Sequence, residues 1–371
     1  MYKSFRVKNF RCFKDLQIND LGRVNLIAGK NNTGKTALLE AMYLHTGNRD
    51  VKTLLRTDRA AHSLFARDSV SRDPDLVSAD IGGWPIVFRD FNIADEIDLT
   101  ADTVPMQQSL FGLNETTSVK LSVKSSESED YVVALDHFNV EDFDLLKSAA
   151  ILEIDAEYDR QPTLLLYVQG KVRASRLRNS SLYSSEFVFA MERISSRRLA
   201  SLYSRVRQSN RKIWFIETLR VVEPRISDVD LLFVDGRLVL SADIGLSQLL
   251  PFTSLGDGTN RFASVILAMS NLAHGVIFVD EIEIGLHHTI QQEAWKTIGD
   301  LAQELNVQVF ATTHSLEFVQ AAYDAFSEGN RLDQFRYHRL DHHPEFGDIE
   351  VVTYNESGIE AAMTTNWEIR G

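Results

Sequence analysis

The chain has 371 residues, 44% hydrophobic and 25% charged, with a formal net charge of −13. These proportions fit a soluble globular protein of two or three structural units, and the acidic balance argues against general nucleic-acid affinity. The single cysteine, Cys12, excludes an intramolecular disulfide and a cysteine-rich zinc site. No apolar run is long enough for a bilayer, and MYKSFRVKNF has no signal-peptide segment, so no membrane association and a cytoplasmic location are expected.

In chain order, residues 4–8 (SFRVK) and 14–18 (KDLQI) alternate as two short strands, with Phe10 and Phe13 in the turn between them. Val24 to Ala28 is an apolar run that reads as a buried strand. Gly29-Lys30-Asn31-Asn32-Thr33-Gly34-Lys35-Thr36 then matches G-x-x-x-x-G-K-[ST]. The apolar-faced helix after it is expected to run to about His45 and stop at Gly47-Asn48. Residues 49–82 mix charges with short apolar stretches and give no clear element.

From Trp84 to about Asp136 the pattern alternates; 118–124 and 131–138 are strand-like, with SSESED between them as an exposed hairpin loop. Residues 150–158 and 163–173 extend an antiparallel β subdomain, turning at Gln161-Pro162. A helical section over about 185–223 carries Met191, Ile194, Leu199, Leu202, Tyr203 and Val206 and ends at Pro224. Residues 230–243 form a hairpin turning at Asp235-Gly236. SLGDGTNR (254–261) leads into a helix, GVIFVDEIEIGLHH (275–288) is a strand ending in carboxylates, and NVQVFATTHS (306–315) is another buried strand. The tail holds a helix, two strands (Phe335–Leu340 and Ile349–Tyr354) and a short last helix.

The chemistry gathers at the ends of these apolar strands. Glycines at 29 and 34 let the loop curl, so that its backbone N–H groups, Asn31, Asn32 and Thr33 included, can face phosphate oxygens at a helix N-terminus. Lys35 can neutralise β/γ-phosphate charge, and Thr36 can offer its hydroxyl to Mg²⁺. This stretch points to nucleoside triphosphate binding. Asp280 would hold the magnesium shell, and Glu281 would orient or deprotonate an attacking water. His314 fits a γ-phosphate sensor and equally a satisfied structural histidine. Ser254, Gly256 and Gly258 offer a second set of donors ahead of a helix. One nucleotide does not need two such loops from one chain, so the second loop is expected to close over a nucleotide held by another protomer; an ordinary glycine turn is the alternative. Residues 171–212 hold eleven basic residues against two acids, Glu186 and Glu192. Arg193, Arg197, Arg198 and Arg205 could bind DNA phosphates or an acidic partner, or form a solvated helix face.

Taken together, the order phosphate loop, SLGDG loop, strand-Asp-Glu, strand-His resembles the ATP-binding-cassette ATPases, and within them the soluble RecF/SMC-like and OLD-like branch. FRVKNFRCFKDLQI and VNLIAGKNNTGKTALLEAMY are similar to the opening of those proteins, DEIEIGLHH to their Walker B and D-loop, and ATTHS to their H-loop. ETLRVVEPRISDV is similar to the OLD-like group in particular.

The resemblance implies an α/β, ABC-type P-loop ATPase core with an antiparallel β subdomain and a helical lobe. The expected divisions are 1–48 and 230–345 for the core, 49–174 for the β-rich part, 175–229 for the helical lobe, and 346–371 for a terminal strand and helix. ATP and Mg²⁺ are the implied cofactors, hydrolysis to ADP and phosphate the implied activity. Protomers would pair head to tail, with Lys35 and Thr36 of one facing Ser254, Gly256 and Gly258 of the other, and Gly285, Leu286 and His287 as the D-loop at that interface. Gln107 and Gln108 are the candidates for a Q-loop. The loop reads SLGDG and not LSGGQ, so transporter coupling is not expected. Too little chain follows His314 for a TOPRIM nuclease domain. A stand-alone ATPase with a separate effector is therefore expected, as in PARIS-type anti-phage systems, the effector being nuclease-like and TOPRIM one candidate. A RecF-like DNA-repair ATPase and a non-hydrolysing ATP-dependent scaffold are the alternatives.

Overall fold

The computed structural model describes residues 1–47, 84–104, 115–124, 134, 150–168, 171–175, 181–190, 195–234, 236–272, 274–343 and 347–364. The first strands are β1 (Tyr2–Phe10), β2 (Phe13–Ile18) and β3 (Val24–Gly29), followed by helix α1 (Lys35–His45). Next come β4 (Ile97–Thr103), β5 (Glu115–Lys124), β6 (Ala150–Ala156), β7 (Thr163–Val168), β8 (Lys171–Ala174) and β9 (Ser185–Val188). Helices α2 (Ser196–Gln208) and α3 (Lys212–Leu219) precede β10 (Asp228–Val234), β11 (Arg237–Asp243) and the short β12 (Leu250–Pro251). The remainder runs α4 (Asp257–Ser270), β13 (Val276–Val279), α5 (His288–Glu304), β14 (Gln308–Thr312), α6 (Leu316–Glu328), β15 (Phe335–His342), β16 (Ile349–Tyr354) and α7 (Glu356–Thr364).

The described residues form three sheets. A six-stranded sheet has the order β16-β15-β3-β14-β13-β9 and is parallel except for the β15–β16 pair. A seven-stranded antiparallel sheet has the order β2-β1-β4-β5-β6-β7-β8, and β10-β11-β12 form the third. The α/β class expected from the sequence is what the molecule shows.

The six-stranded sheet is covered on both faces, as a parallel sheet must be. Ile27, Phe187, Phe278 and Phe310 point toward α1 and the antiparallel sheet. Their neighbours Leu26, Val188, Ile277, Val279, Val309 and Ala311 point the other way, into a core with α4, α5 and α6. Helix α1 lies between the two large sheets, and of its residues Thr36 alone is not buried. A helix enclosed on all sides needs no polar stripe, which is why its sequence carries none.

Some elements differ from the sequence expectation. Residues 185–188, expected to be helical, form β9, the strand parallel to β13, with Phe187 and Val188 entering the cores on opposite faces of the sheet. The helix starts at Ser196, where Ser195 caps it by accepting from the Arg198 amide at 3.3 Å. The run 163–173, expected as one strand, is two antiparallel strands with Val168 opposite Lys171. Trp84–Val87 and Arg89–Phe91 are 3-10 turns rather than part of an alternating strand, consistent with Pro85 at the start and with Asp90 at φ 52. Of the strand expected over 131–138 only Ala134 is described, and it is helical and buried; a short apolar run such as Val132-Val133-Ala134-Leu135 has no period that separates helix from strand. Residues 49–82, the 125–130 loop, Met191, Ile194 and the Q-loop candidates Gln107 and Gln108 lie outside the described residues.

Candidate nucleotide site

The three central parallel strands end at the same edge of the sheet, and each delivers polar groups there. β3 runs into the Gly29–Thr36 loop, β13 into Asp280 and Glu281, and β14 into Thr313, His314 and Ser315. This is the carboxyl edge, where open α/β sheets hold ligands.

The loop is shaped by residues that accept left-handed backbone. Gly34 has φ 81 and Asn32 φ 65, an alternation that turns successive N–H groups into one concavity. Any side chain at Gly34 would also strike Cys12 Sγ and the Phe13 ring, which pack over the loop from the β1–β2 turn. At Gly29 a Cβ would lie 2.4 Å from the Leu340 carbonyl oxygen. Thr33 is buried and donates its hydroxyl to the Lys30 carbonyl at 2.9 Å, while Asn31 and Asn32 are exposed. Lys35 donates to the carbonyls of Gly29 and Lys30, both at 2.8 Å. Burial pushes its pKa down, and the carboxylates of Asp280, Glu281 and Glu283 oppose that shift.

Two threonines converge on Asp280. Thr36 Oγ1 donates to its two carboxylate oxygens at 3.0 and 3.1 Å, and Thr312 Oγ1 donates to Oδ1 at 2.7 Å. Thr36 and Asp280 are separated by 244 positions, so this contact unites two motifs found independently in the sequence. A hydroxyl and a carboxylate side by side are hard oxygen donors of the kind Mg²⁺ takes, and they fit it. Beside them, Glu281 Oε1 is 3.5 Å from His314 Nε2. Glu283 accepts from the His314 amide at 2.7 Å, and burial raises its pKa.

Arg261, at the end of SLGDGTNR, is a buried cation in α4. It donates to the carbonyls of Phe189 and Asp280, and to that of Val188 at 3.4 Å. Burial lowers its pKa against the opposing pull of Asp280, Glu281 and Glu283. Gly258, in the first turn of α4, meets Gly285 backbone to backbone. A Cβ on Gly258 would fall 2.0 Å from the Gly285 oxygen, and Gly285 itself has φ 76. Ser254 and Gly256 are exposed on the same loop. Leu286 is buried, and His287 caps α5 through Nδ1 and Thr289.

The structure thus brings together Lys35, Thr36, Asp280, Glu281 and His314. It sets the Ser254–Gly258 loop against Gly285 of its own chain. Sequence reasoning missed Arg261 and Thr312, although both stand inside quoted motifs; nothing in spacing tells a buried partner of a carboxylate from a surface polar residue. The basic segment is partly matched by acids from other elements. Arg198 pairs with Glu186, Arg211 with Glu304 at 2.8 Å and Lys212 with Asp228 at 2.7 Å, while Arg197 and Arg205 are exposed on α2. Arg193 lies outside the described residues.

Residues 125–320 match the family model of an AAA domain described as putative AbiEii toxin, Type IV TA system, and residues 1–209 match that of the AAA ATPase domain. The chain is similar to an ATP/GTP phosphatase of Helicobacter pylori, 23% identical over 360 residues that cover 86% of this chain and 87% of that protein. It is also similar to the DNA replication and repair protein RecF of Streptococcus gordonii, 25% identical over 190 residues, 50% of this chain and 46% of that one. Among solved structures, the SMC head bound to the C-winged helix domain of ScpA aligns with a TM-score of 0.49 at 13% identity, covering 98% of this chain and 99% of that one. Since each of the two family models spans more than half of its length, the chain belongs to the AAA ATPase domain family.

Proposed function

We propose that this chain binds ATP with Mg²⁺ at the Gly29–Thr36 loop and hydrolyses it to ADP and phosphate. The observation that carries the reading is the Thr36–Asp280 contact at 3.0 Å, with Glu281 and His314 beside it at the carboxyl edge of the parallel sheet. Membership of an ATPase family and similarity to a protein named for ATP/GTP phosphatase activity point the same way.

In this reading Lys35 exchanges its two loop carbonyls for phosphate oxygens. The hydroxyl of Thr36 and the carboxylate of Asp280 would hold the metal, which when bound would supply charge neutralisation on the phosphates. Glu281 takes the proton of the attacking water, and His314, its Nε2 3.5 Å from Glu281 Oε1, orients that carboxylate. Ser254, Gly256 and Gly258 serve the nucleotide of a second protomer, with Gly285, Leu286 and His287 at the junction.

Phosphate release tests the chemistry. Lys35→Ala should weaken nucleotide binding. Glu281→Gln should keep binding and lose on the order of 10²–10⁴-fold in rate, the usual contribution of a general base. An unchanged rate in the Gln variant removes Glu281 from this role.

For biology, the reading is a sensor or scaffold subunit of the OLD-like, PARIS-type kind, acting in anti-phage defence with a separate effector. It is supported by the toxin–antitoxin description of the family model matched by residues 125–320. The RecF-like alternative is favoured by the similarity to RecF over half the chain and by the exposed Arg197 and Arg205. The native mass of Glu281→Gln, expressed with its neighbouring genes and held in ATP and Mg²⁺, separates these readings. A complex with a second polypeptide supports defence, and a bare dimer carrying DNA supports repair. A bare monomer overturns the composite site.

A further inference from the structure

The turn after β13 is organised around one peptide unit, that joining Asp280 to Glu281. Its carbonyl accepts from Arg261 Nη2, and its amide donates to Thr312 Oγ1 at 2.7 Å. The Thr312 hydroxyl donates in turn to Asp280 Oδ1, also at 2.7 Å. Thr312 is 0% exposed and Arg261 7%. On either side the backbone is held by neighbouring strands, since the Asp280 amide donates to Val188 O at 2.9 Å and the Ile282 amide to Thr312 O at 3.0 Å. Among the described residues, the plane of the peptide between those two anchors is fixed by side chains alone.

That plane matters because Glu281 has φ 49, a left-handed conformation that a Cβ disfavours. Strained backbone of this kind persists where its surroundings over-determine it. If the peptide rotated, Glu281 would relax and its carboxylate would leave the place it holds 3.5 Å from His314 Nε2.

We infer that Thr312 and Arg261 are positioning residues for Glu281: gripping the two ends of the 280–281 peptide, they aim its carboxylate at the reaction site. The inference rests on the reading of Glu281 as the base. It also gives the Ser254–Gly258 loop a route to that base, because Arg261 sits on the helix this loop begins.

Thr312→Ser and Thr312→Ala test the amide end, since both lose the methyl group and only Ala loses the hydroxyl. The Ser variant should keep kcat close to that of the unmodified protein. The Ala variant should lose on the order of 10²-fold in kcat, the loss expected for a misplacement of about 1 Å, with KM for ATP unchanged. In a Glu281→Gln background the Ala change should lower the residual single-turnover rate no further, because the group it positions is gone. Equal kcat in Ser and Ala variants, a loss confined to KM, or the same fold-loss in the Gln background would each overturn the inference. Should Thr312→Ala fail to fold by circular dichroism, Arg261→Lys against Arg261→Met reads the carbonyl end of the same peptide by the same split. The two failures are distinguishable. A Glu281→Gln protein that hydrolyses at the full rate sinks the base assignment itself, whereas an inactive Gln variant beside a fully active Thr312→Ala sinks the positioning role alone.

Discussion

In the six-stranded sheet β13 and β14 bury every residue, whereas β4 and β5 of the antiparallel sheet bury alternate residues and turn much of the remainder toward water. The first sheet is apolar through the middle of its central strands, with buried Asn25 and Gln308 at their starts, and its charged groups gather where those strands stop. The second carries polar groups throughout its outer face: Lys120 pairs with Glu96 at 3.1 Å, and Thr116 donates to Asp102 at 2.8 Å. Polar residues spread along a wet face are each solvated by themselves. Polar residues confined to the ends of buried strands face one another in a partly dry space, where charge interactions are strong. The difference explains why the candidate chemistry lies on one sheet and not on the other.

The contrast can be broken by substitutions that score the two sheets against each other. Phe278, fully buried and stacked 5.6 Å from Phe310, should cost about 3–5 kcal/mol as Phe278→Ala in urea unfolding, the usual range for a core aromatic. A loss below about 1 kcal/mol would mean that the sheet is not covered on both faces.

Glu40 probes the space between the sheets. It is buried in α1, 3.1 Å from Arg11. Burial pushes its carboxyl up to about 7, with Arg11 opposing and Asp280 reinforcing the shift. Because the folded form holds the proton more tightly than the unfolded chain, the stability from protonated Glu40 is fully present below about pH 4.5 and is lost as pH rises through about 7. The loss is on the order of 3 kcal/mol across that window, at 1.36 kcal/mol per unit. Urea midpoints taken from pH 4.5 to 8 should therefore fall less in Glu40→Gln than in the unmodified protein; parallel curves would exclude the buried proton.

The backbone contact between Gly258 and Gly285 is sharpened by Gly258→Ala. The new methyl meets the Gly285 oxygen, and the shift it forces should cost about 1–3 kcal/mol, as overpacking does. Thermal melting reads this, and an unchanged midpoint would show that the two glycines are free to separate. At the small end, Lys120→Ala on the wet face of the antiparallel sheet should leave the midpoint where it was, since exposed ion pairs contribute little.

By itself the sequence determined the local chemistry. The glycine spacing of 29–36, the apolar runs of β3, β13 and β14 and the acids after Val279 name a candidate phosphate loop, three buried strands and the polar groups at their ends. Each of those signals is short-range: a strand needs a run of apolar side chains, and a tight loop needs residues that accept positive φ. What the tertiary structure decided is long-range. That Ser185–Val188 joins the core sheet as a strand depends on β13 lying alongside it, and no local pattern can supply a partner. That Thr36 meets Asp280, that Thr312 and Arg261 hold the 280–281 peptide, and that Gly258 touches Gly285 all follow from where the chain crosses itself. Hydrogen bonds of 2.7–3.1 Å between residues tens or hundreds of positions apart exist only once packing has fixed both backbones, so the folded chain alone could show them.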